Sequence, residues 1–225
     1  LPTNVIDWLK KTINDVQKDS SSFIASEAEP ILYATQALIN LYQKNEYPLL
    51  WVNENGLNKN GEDLLKVLYN TEQYGLLKKH YGVENIDKAL LSNENPKTIK
   101  DIELSLTNAW FLLALHLHEG AVGNDQLLNK NFGNQTDFYT QTLLKSIKNK
   151  SIRQDLESLQ PQDYQYKNLQ LVLIQLSKSK NKLPKGFSIP DHKTDSIACQ
   201  LKAIEALKYQ GFLDSTEISH EKYIS

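Results

Sequence analysis

The sequence predicts an all-α protein, an irregular multi-helix bundle around a central buried helix at about 98–119, with one short extended segment near 48–53. Three observations carry this. Apolar residues recur at three- and four-residue spacing along most of the chain. Turn formers are scarce, with nine glycines and seven prolines in 225 residues, which disfavours a barrel or sandwich of many short strands. Finally, Ala109 to Leu115 is apolar on every side, and a helix with no polar face is one surrounded by others.

Taken in order, Ile6, Leu9, Ile13 and Val16 give residues 5–18 an amphipathic helix, followed by the polar break Asp19-Ser20-Ser21-Ser22. Ser26 and Glu29 read as a capping box, with Pro30 tolerated in the first turn. Ala34, Ala37, Leu38, Leu41 and Tyr42 make one apolar face of the second helix. Pro48 to Val52 is an apolar burst between a helix end and the turn signal Asn55-Gly56, and reads as extended and buried. Asn60 with Asp63 caps a third helix bearing Leu64, Leu65, Leu68 and Tyr74, which Gly75 ends.

The central helix takes Thr98 as its cap, Asp101 and Glu103 as charges suited to the positive end of the helix dipole, and Gly120 as its stop. Phe138 to Lys148 is a shorter helix. Tyr166, Leu169, Val172, Leu173 and Leu176 mark a long one after Pro161, and Pro184, Gly186 and Pro190 make a loop. The last helix runs from about Thr194 to Gln210. It carries Leu201, Ile204 and Leu207 on one side and Cys199, Ala203 and Ala206 on the other, a pattern that predicts close packing on both faces.

Composition excludes several functions. The formal charge is −2 and Arg153 is the single arginine, so the basic, arginine-rich stripe of a nucleic-acid binder is missing. The longest apolar run, Ala109–Leu115, falls far short of the roughly 20 residues that cross a bilayer. With no methionine, even at position 1, the chain is expected to start after processing or trimming, so a leader peptide gives no guide to the compartment.

Candidate chemistry is sparse. Cys199 is the one thiol, with no histidine within a helical turn of it, and reads as a buried structural cysteine. His116 and His118 stand two residues apart on a helix, roughly 200° around the axis, so one ion cannot take both. They read as last-turn residues suited to the helix C-terminus, and His80, His192 and His220 stand singly. The pairs Glu27/Glu29 and Asp101/Glu103 read as helix-start charges and not as an acid–base dyad. No phosphate loop, dinucleotide fingerprint or nucleophile elbow occurs, and neither a metal nor a cofactor is expected.

One stretch resembles a known family. A helix ending in tyrosine leads into Pro48-Leu-Leu-Trp-Val-Asn-Glu-Asn-Gly-Leu57. A Leu-Leu helix follows, and then Gly75-Leu76, Tyr81 and Ile86. This order is similar to the scaffold domain of the large, YcbB-type bacterial L,D-transpeptidases. Leu104, Leu106, Thr107, Ala109 and Trp110, with Leu115, Leu117, Gly120 and Val122, resemble that domain's core helix and its exit. Pro161, Gln165, Tyr166, Leu169, Val172 and Leu173 resemble a later helix, and Leu201 to Leu213 the helix leading out. The likeness covers roughly residues 32–213 in five ordered pieces. It departs where Ala121-Val122-Gly123-Asn124 replaces an Arg-Val-Asp-Pro-like string, and where Leu113 stands in place of a common tyrosine.

The resemblance implies a non-catalytic part of a periplasmic or cell-envelope enzyme of peptidoglycan cross-linking. In that family a separate domain carries the nucleophilic cysteine in a Ser/Thr-His-Gly-Cys motif, which is absent here, since Ser196-Ile-Ala-Cys199 does not match it. The implied organisation is an N-terminal helix or arm at 1–24 and the helical scaffold at 25–214. Residues 215–225 would then begin a linker or a peptidoglycan-binding-like helix. The implied partners are the catalytic and peptidoglycan-binding domains of the same full-length chain, and peptidoglycan itself. The alternative function is a free-standing helical module docking on peptidoglycan or a cell-wall enzyme, and a further rival is an unrelated helical adaptor. Binding candidates are Tyr47, Pro48, Trp51, Gly56 and Tyr81, as family signature or as exposed aromatics together with Tyr42; for Trp51 a core anchor is the competing reading.

Overall fold

The computed structural model describes residues 3–18, 34–53, 56–91, 96–121, 125–178, 188–191 and 193–209. At residues 3, 4, 16, 96, 97, 125–134, 177 and 178 it describes the backbone alone. The fold is all-α with one small hairpin, as the sequence predicts. Helices α1 (Thr3–Lys18) and α2 (Thr35–Lys44) lead into strands β1 (Val52–Asn53) and β2 (Gly56–Leu57). Next come α3 (Lys59–Tyr69), two 3₁₀ turns (Thr71–Tyr74 and Lys78–Tyr81) and α4 (Val83–Leu91). The remaining helices are α5 (Pro96–Glu119), α6 (Asp125–Asn149), α7 (Ile152–Ser158), α8 (Tyr164–Lys178) and α9 (Ser196–Tyr209).

The chain divides after Lys167 into two compact units. In the first, α5 is the hub: it packs against α1, α2, α3, α4, α6, α7 and β1. Every residue from Leu106 to Leu115 is buried, so the helix read as having no polar face is indeed enclosed. Helix α1 packs on α5 and α2, burying Val5, Leu9, Thr12 and Ile13; of the face read from the sequence, Leu9 and Ile13 are buried and Ile6 is half-buried. The second unit contains α9, capped by Asp195, whose carboxylate accepts the Ala198 N–H at 2.8 Å.

Several local expectations are corrected. The third helix is capped by Asn58 and not by Asn60: its backbone is extended (φ −84°, ψ 177°) and its side chain accepts the Gly61 N–H at 3.0 Å. That helix ends at Tyr69 with Asn70 as its C-cap, and Gly75 (φ 75°) caps the 3₁₀ turn that follows, with Tyr74 inside the turn. Helix α5 starts at Pro96, so Thr98 lies within its first turn; a proline there loses no hydrogen bond, since the first N–H groups have no partner anyway. Helix α6 is far longer than Phe138–Lys148, and α4 and α7 had no counterpart in the sequence reading. The Ser26/Glu29 capping box, Val122 to Asn124 and the loop residue Asn55 lie outside the described residues.

Close packing on both faces of the last helix is also overturned. None of α9's described residues is buried, and Ile197, Leu201, Leu207 and Tyr209 are between 42% and 58% exposed.

Candidate functional site: a buried carboxylate that holds the hairpin

The chain leaves α2 through Glu46 and Tyr47, both in the left-handed region at φ 59°. Such a turn costs a non-glycine residue about 1–2 kcal/mol, and neighbouring bonds hold it. The Tyr47 N–H donates to the Tyr42 carbonyl at 2.8 Å, and Asn45 Nδ2 to the Leu41 carbonyl at 2.7 Å. Lys10 Nζ sits 5.6 Å from the centre of the Tyr47 ring, within reach of a cation–π contact. The half-buried Pro48 and Leu49 follow, and the backbone of Leu50 and Trp51 enters the core.

A buried backbone N–H needs an acceptor, and an irregular segment has no ladder to supply one. Glu103 on α5 supplies it. Its Oε1 accepts the Leu50 N–H and the Tyr42 hydroxyl, each at 2.8 Å, and its Oε2 accepts the Trp51 N–H at 3.0 Å. One turn along the same face, Thr107 Oγ1 accepts Trp51 Nε1–H at 2.7 Å. The Thr107 proton has two acceptors in reach, the Tyr42 oxygen at 2.7 Å and the Glu103 carbonyl at 2.9 Å. The next residue, Asn108, accepts the Ala34 N–H at 3.2 Å through Oδ1.

Glu103, Tyr42, Thr107 and Trp51 are fully buried, and no salt bridge reaches Glu103 among the described residues. Burial pushes the Glu103 carboxyl up to about 7, while the N–H groups of Leu50, Trp51 and Val52 and the Tyr42 hydroxyl pull the other way. The Tyr42 hydroxyl is raised as well, by burial first and by the neighbouring Glu103 second. Two proton arrangements satisfy every atom. With Glu103 ionised, Tyr42 donates to it and Thr107 donates to Tyr42. With Glu103 protonated, the carboxyl donates to Tyr42, Tyr42 to Thr107, and Thr107 to the Glu103 carbonyl. The site can therefore hold a segment in place in either state.

The far side of the segment is tied to α3. Asn58 N–H donates to the Trp51 carbonyl at 2.8 Å, and Asn58 Nδ2 to the Leu50 carbonyl at 3.0 Å. Gly61 closes the contact, because a Cβ there would lie 2.3 Å from the Trp51 carbonyl oxygen and 2.9 Å from Leu57 Cδ2. Alanine in a helix interior ordinarily gains about 1 kcal/mol over glycine. Here the overlap with a backbone carbonyl outweighs that gain, and Gly61→Ala should lose about 2 kcal/mol, read as a lower urea midpoint. An unchanged or higher midpoint would mean that the hairpin yields freely.

Of the binding candidates, the structure brings Tyr47, Pro48 and Trp51 together at this entry. Gly56, buried and at φ 104°, pairs with Asn53 across the hairpin, in register with Val52 and Leu57. Tyr81 is elsewhere, 3% exposed, its hydroxyl 2.8 Å from His116 Nδ1. An exposed aromatic cluster is not what these residues form. Tyr42, Trp51 and Tyr81 are core residues, and Tyr47 is half-buried.

Other readings change too. Glu103, read as a helix-start charge, is the eighth residue of α5 and the acceptor at its centre. His116 does lie in the last turn of α5, but burial, with His80 second, lowers its pKa, and its Nδ1 is 2.8 Å from the Tyr81 hydroxyl. His118 turns elsewhere, its Nδ1 3.0 Å from the Tyr139 hydroxyl and 3.2 Å from Glu119, so the two histidines do not converge. No cluster of metal-ligating residues occurs among the described residues. Cys199 is half-buried rather than buried. The sequence did hold a signal for the missed site: Glu103 and Thr107 lie four apart, on the helix face that leads into the apolar run at 109–115, where a buried carboxylate needs partners.

The elements of this site lie inside one family signature. The model of a family described as "Scaffold domain" matches residues 36–173, which run from α2 through most of α8. No match was found among curated proteins or solved structures. With well over half of its length covered by that signature, in the order already seen in the sequence, the chain belongs to the scaffold domain family of YcbB-type L,D-transpeptidases.

Proposed function

We propose that the chain is the non-catalytic scaffold part of a periplasmic L,D-transpeptidase, holding that enzyme's catalytic domain against the peptidoglycan mesh during cross-linking. The observation that carries the reading is the family signature over residues 36–173 in a sequence without a Ser/Thr-His-Gly-Cys motif. The site described above supports it, because its buried polar groups are spent on the Leu50 and Trp51 backbone and on one another. The scaffold occupies residues 25–214, preceded by an N-terminal segment at 1–24 that contains α1. Residues 215–225 begin a linker or a peptidoglycan-binding-like helix.

The partners are the catalytic and peptidoglycan-binding domains of the same full-length chain, and the half-exposed apolar side chains of α9 suit a seam with one of them. No helix among the described residues is long and apolar enough to cross a membrane. The role of Tyr47, Pro48, Trp51 and Gly56 is to form and hold the hairpin, and that of Tyr81 to brace α5 through His116.

Incubation of the purified chain with tetrapeptide-stem muropeptides tests the reading. It predicts neither D-alanine release nor cross-linked product. Turnover by the chain alone, and its loss in Cys199→Ala, would overturn it.

A further inference from the structure

A cleft of about 350 Å³ opens between α3, the 3₁₀ turn after it and the junction of α6 with α7. That volume lies at the lower end of the range for small-ligand sites, about 300–1,000 Å³. Val67 and Ile152, both buried, line it from the core side. Its rim carries three cations, Lys66, Lys150 and Arg153, the single arginine, against one acid in the lining, Asp63. Asp63 is already engaged, by Lys59 at 2.8 Å and by Lys66 at 3.4 Å. The Arg153 Nε is fixed by Glu157 at 2.7 Å, which places the guanidinium at the rim. Lys150 makes no ion pair among the described residues.

The backbone at Lys150 is informative. Its N–H donates to the Ile147 carbonyl and the Ser151 N–H to the Ser146 carbonyl, a Schellman ending in which Lys150 takes the left-handed position (φ 56°). Glycine is the usual residue there, and a lysine bears a steric cost. The helix dipole does not require that lysine, since Lys148 already provides a cation in the last turn of α6. The carboxamides of Asn70 and Gln154 complete the rim; Asn70 Nδ2 donates to the Lys66 carbonyl at 2.7 Å, so Asn70 offers its Oδ1 to a peptide N–H, while Gln154 can donate or accept.

We propose that this cleft binds the terminal carboxylate of a short peptide, with Lys150 and Arg153 taking the carboxylate, Asn70 and Gln154 the adjacent amide groups, and Val67 and Ile152 a small apolar side chain. The proposal goes beyond the scaffold role and does not depend on it. Carboxamides beside the cations favour a ligand with amide groups over a bare anion, and the engaged Asp63 limits the positive charge available for a phosphate.

Titration of the ¹⁵N-labelled full chain with N-acetyl-trialanine tests it, with the C-terminal amide of the same peptide and inorganic phosphate as the other arms. Saturable shifts are expected at the amides of residues 66–73 and 150–154. The free acid should bind with a Kd on the order of 1 mM, and the amide about tenfold more weakly. Lys150→Gln should weaken binding about fivefold. Lys150→Gly, which suits the backbone, should lose binding to the same degree while raising Tm. Equal affinity for acid and amide, phosphate binding as tight as the peptide's, or no saturable shift in these residues would each overturn the proposal.

Discussion

Alanine in place of Glu103 should cost about 3–5 kcal/mol of folding stability, a third or more of what a domain ordinarily has. The reason is the number of donors left behind. The N–H groups of Leu50 and Trp51 and the Tyr42 hydroxyl would lose their acceptor together, in a region without solvent. Glutamine does not rescue the site. Each carboxyl oxygen accepts a backbone N–H, so either orientation of an amide sets an NH₂ against a donor.

Glutamine does remove the titration, and this gives the site a distinctive signature. Burial raises the folded-state pKa of Glu103 from 4.5 to about 7, so the folded chain holds the proton more tightly than the unfolded one. The associated stability is fully present below about pH 4.5 and is lost as pH rises through about 7, a decline on the order of 3 kcal/mol. His116 works in the opposite direction: its lowered pKa gives stability that is present above the unfolded value of 6.5 and lost as pH falls. The raw slope of the wild type therefore mixes the two. The observable is the difference between wild type and Glu103→Gln, from urea midpoints at pH 4.5 and 8.5. It should shrink by several kcal/mol toward alkaline pH, and a difference constant with pH would contradict a raised Glu103 pKa.

Trp51→Ala should be comparably severe, at about 3–5 kcal/mol. The side chain is fully buried between the hairpin and α5, and its loss both opens a cavity and removes the Nε1–H donor to Thr107. Trp51→Phe separates these contributions, since it keeps most of the apolar volume and loses the hydrogen bond. It should cost about 1–2 kcal/mol. The check is the denaturant midpoint of each variant, and a phenylalanine variant as unstable as alanine would assign the anchor to the hydrogen bond alone.

Much of this architecture was legible in the sequence because helices declare themselves by period. The apolar run at 109–115 identified the hub, the Leu9–Ile13 spacing placed α1, with Val5 rather than Ile6 completing its buried face, and in the burst at 48–52 Leu50, Trp51 and Val52 are buried. What escaped depends on tertiary partners. Asn58 and Asn60 are equally good caps by residue type, and the choice is made by the Trp51 carbonyl, which leaves room only for glycine three residues after the true cap. Glu103 looked like a dipole charge because its real partners lie about fifty residues earlier, on a segment with no pairing of its own. The α9 pattern of large and small residues suggested two packed faces, but periodicity does not say whether a neighbour is present.

Hydrogen exchange at the amides of Leu50 and Trp51 tests the central claim most directly, namely that an irregular segment is fixed in the core by a buried carboxylate. Both N–H groups should be protected to the same degree as the amides of Leu106 to Leu115 in α5, opening only with global unfolding. Exchange at the rate of an exposed loop would show that Glu103 does not hold the hairpin.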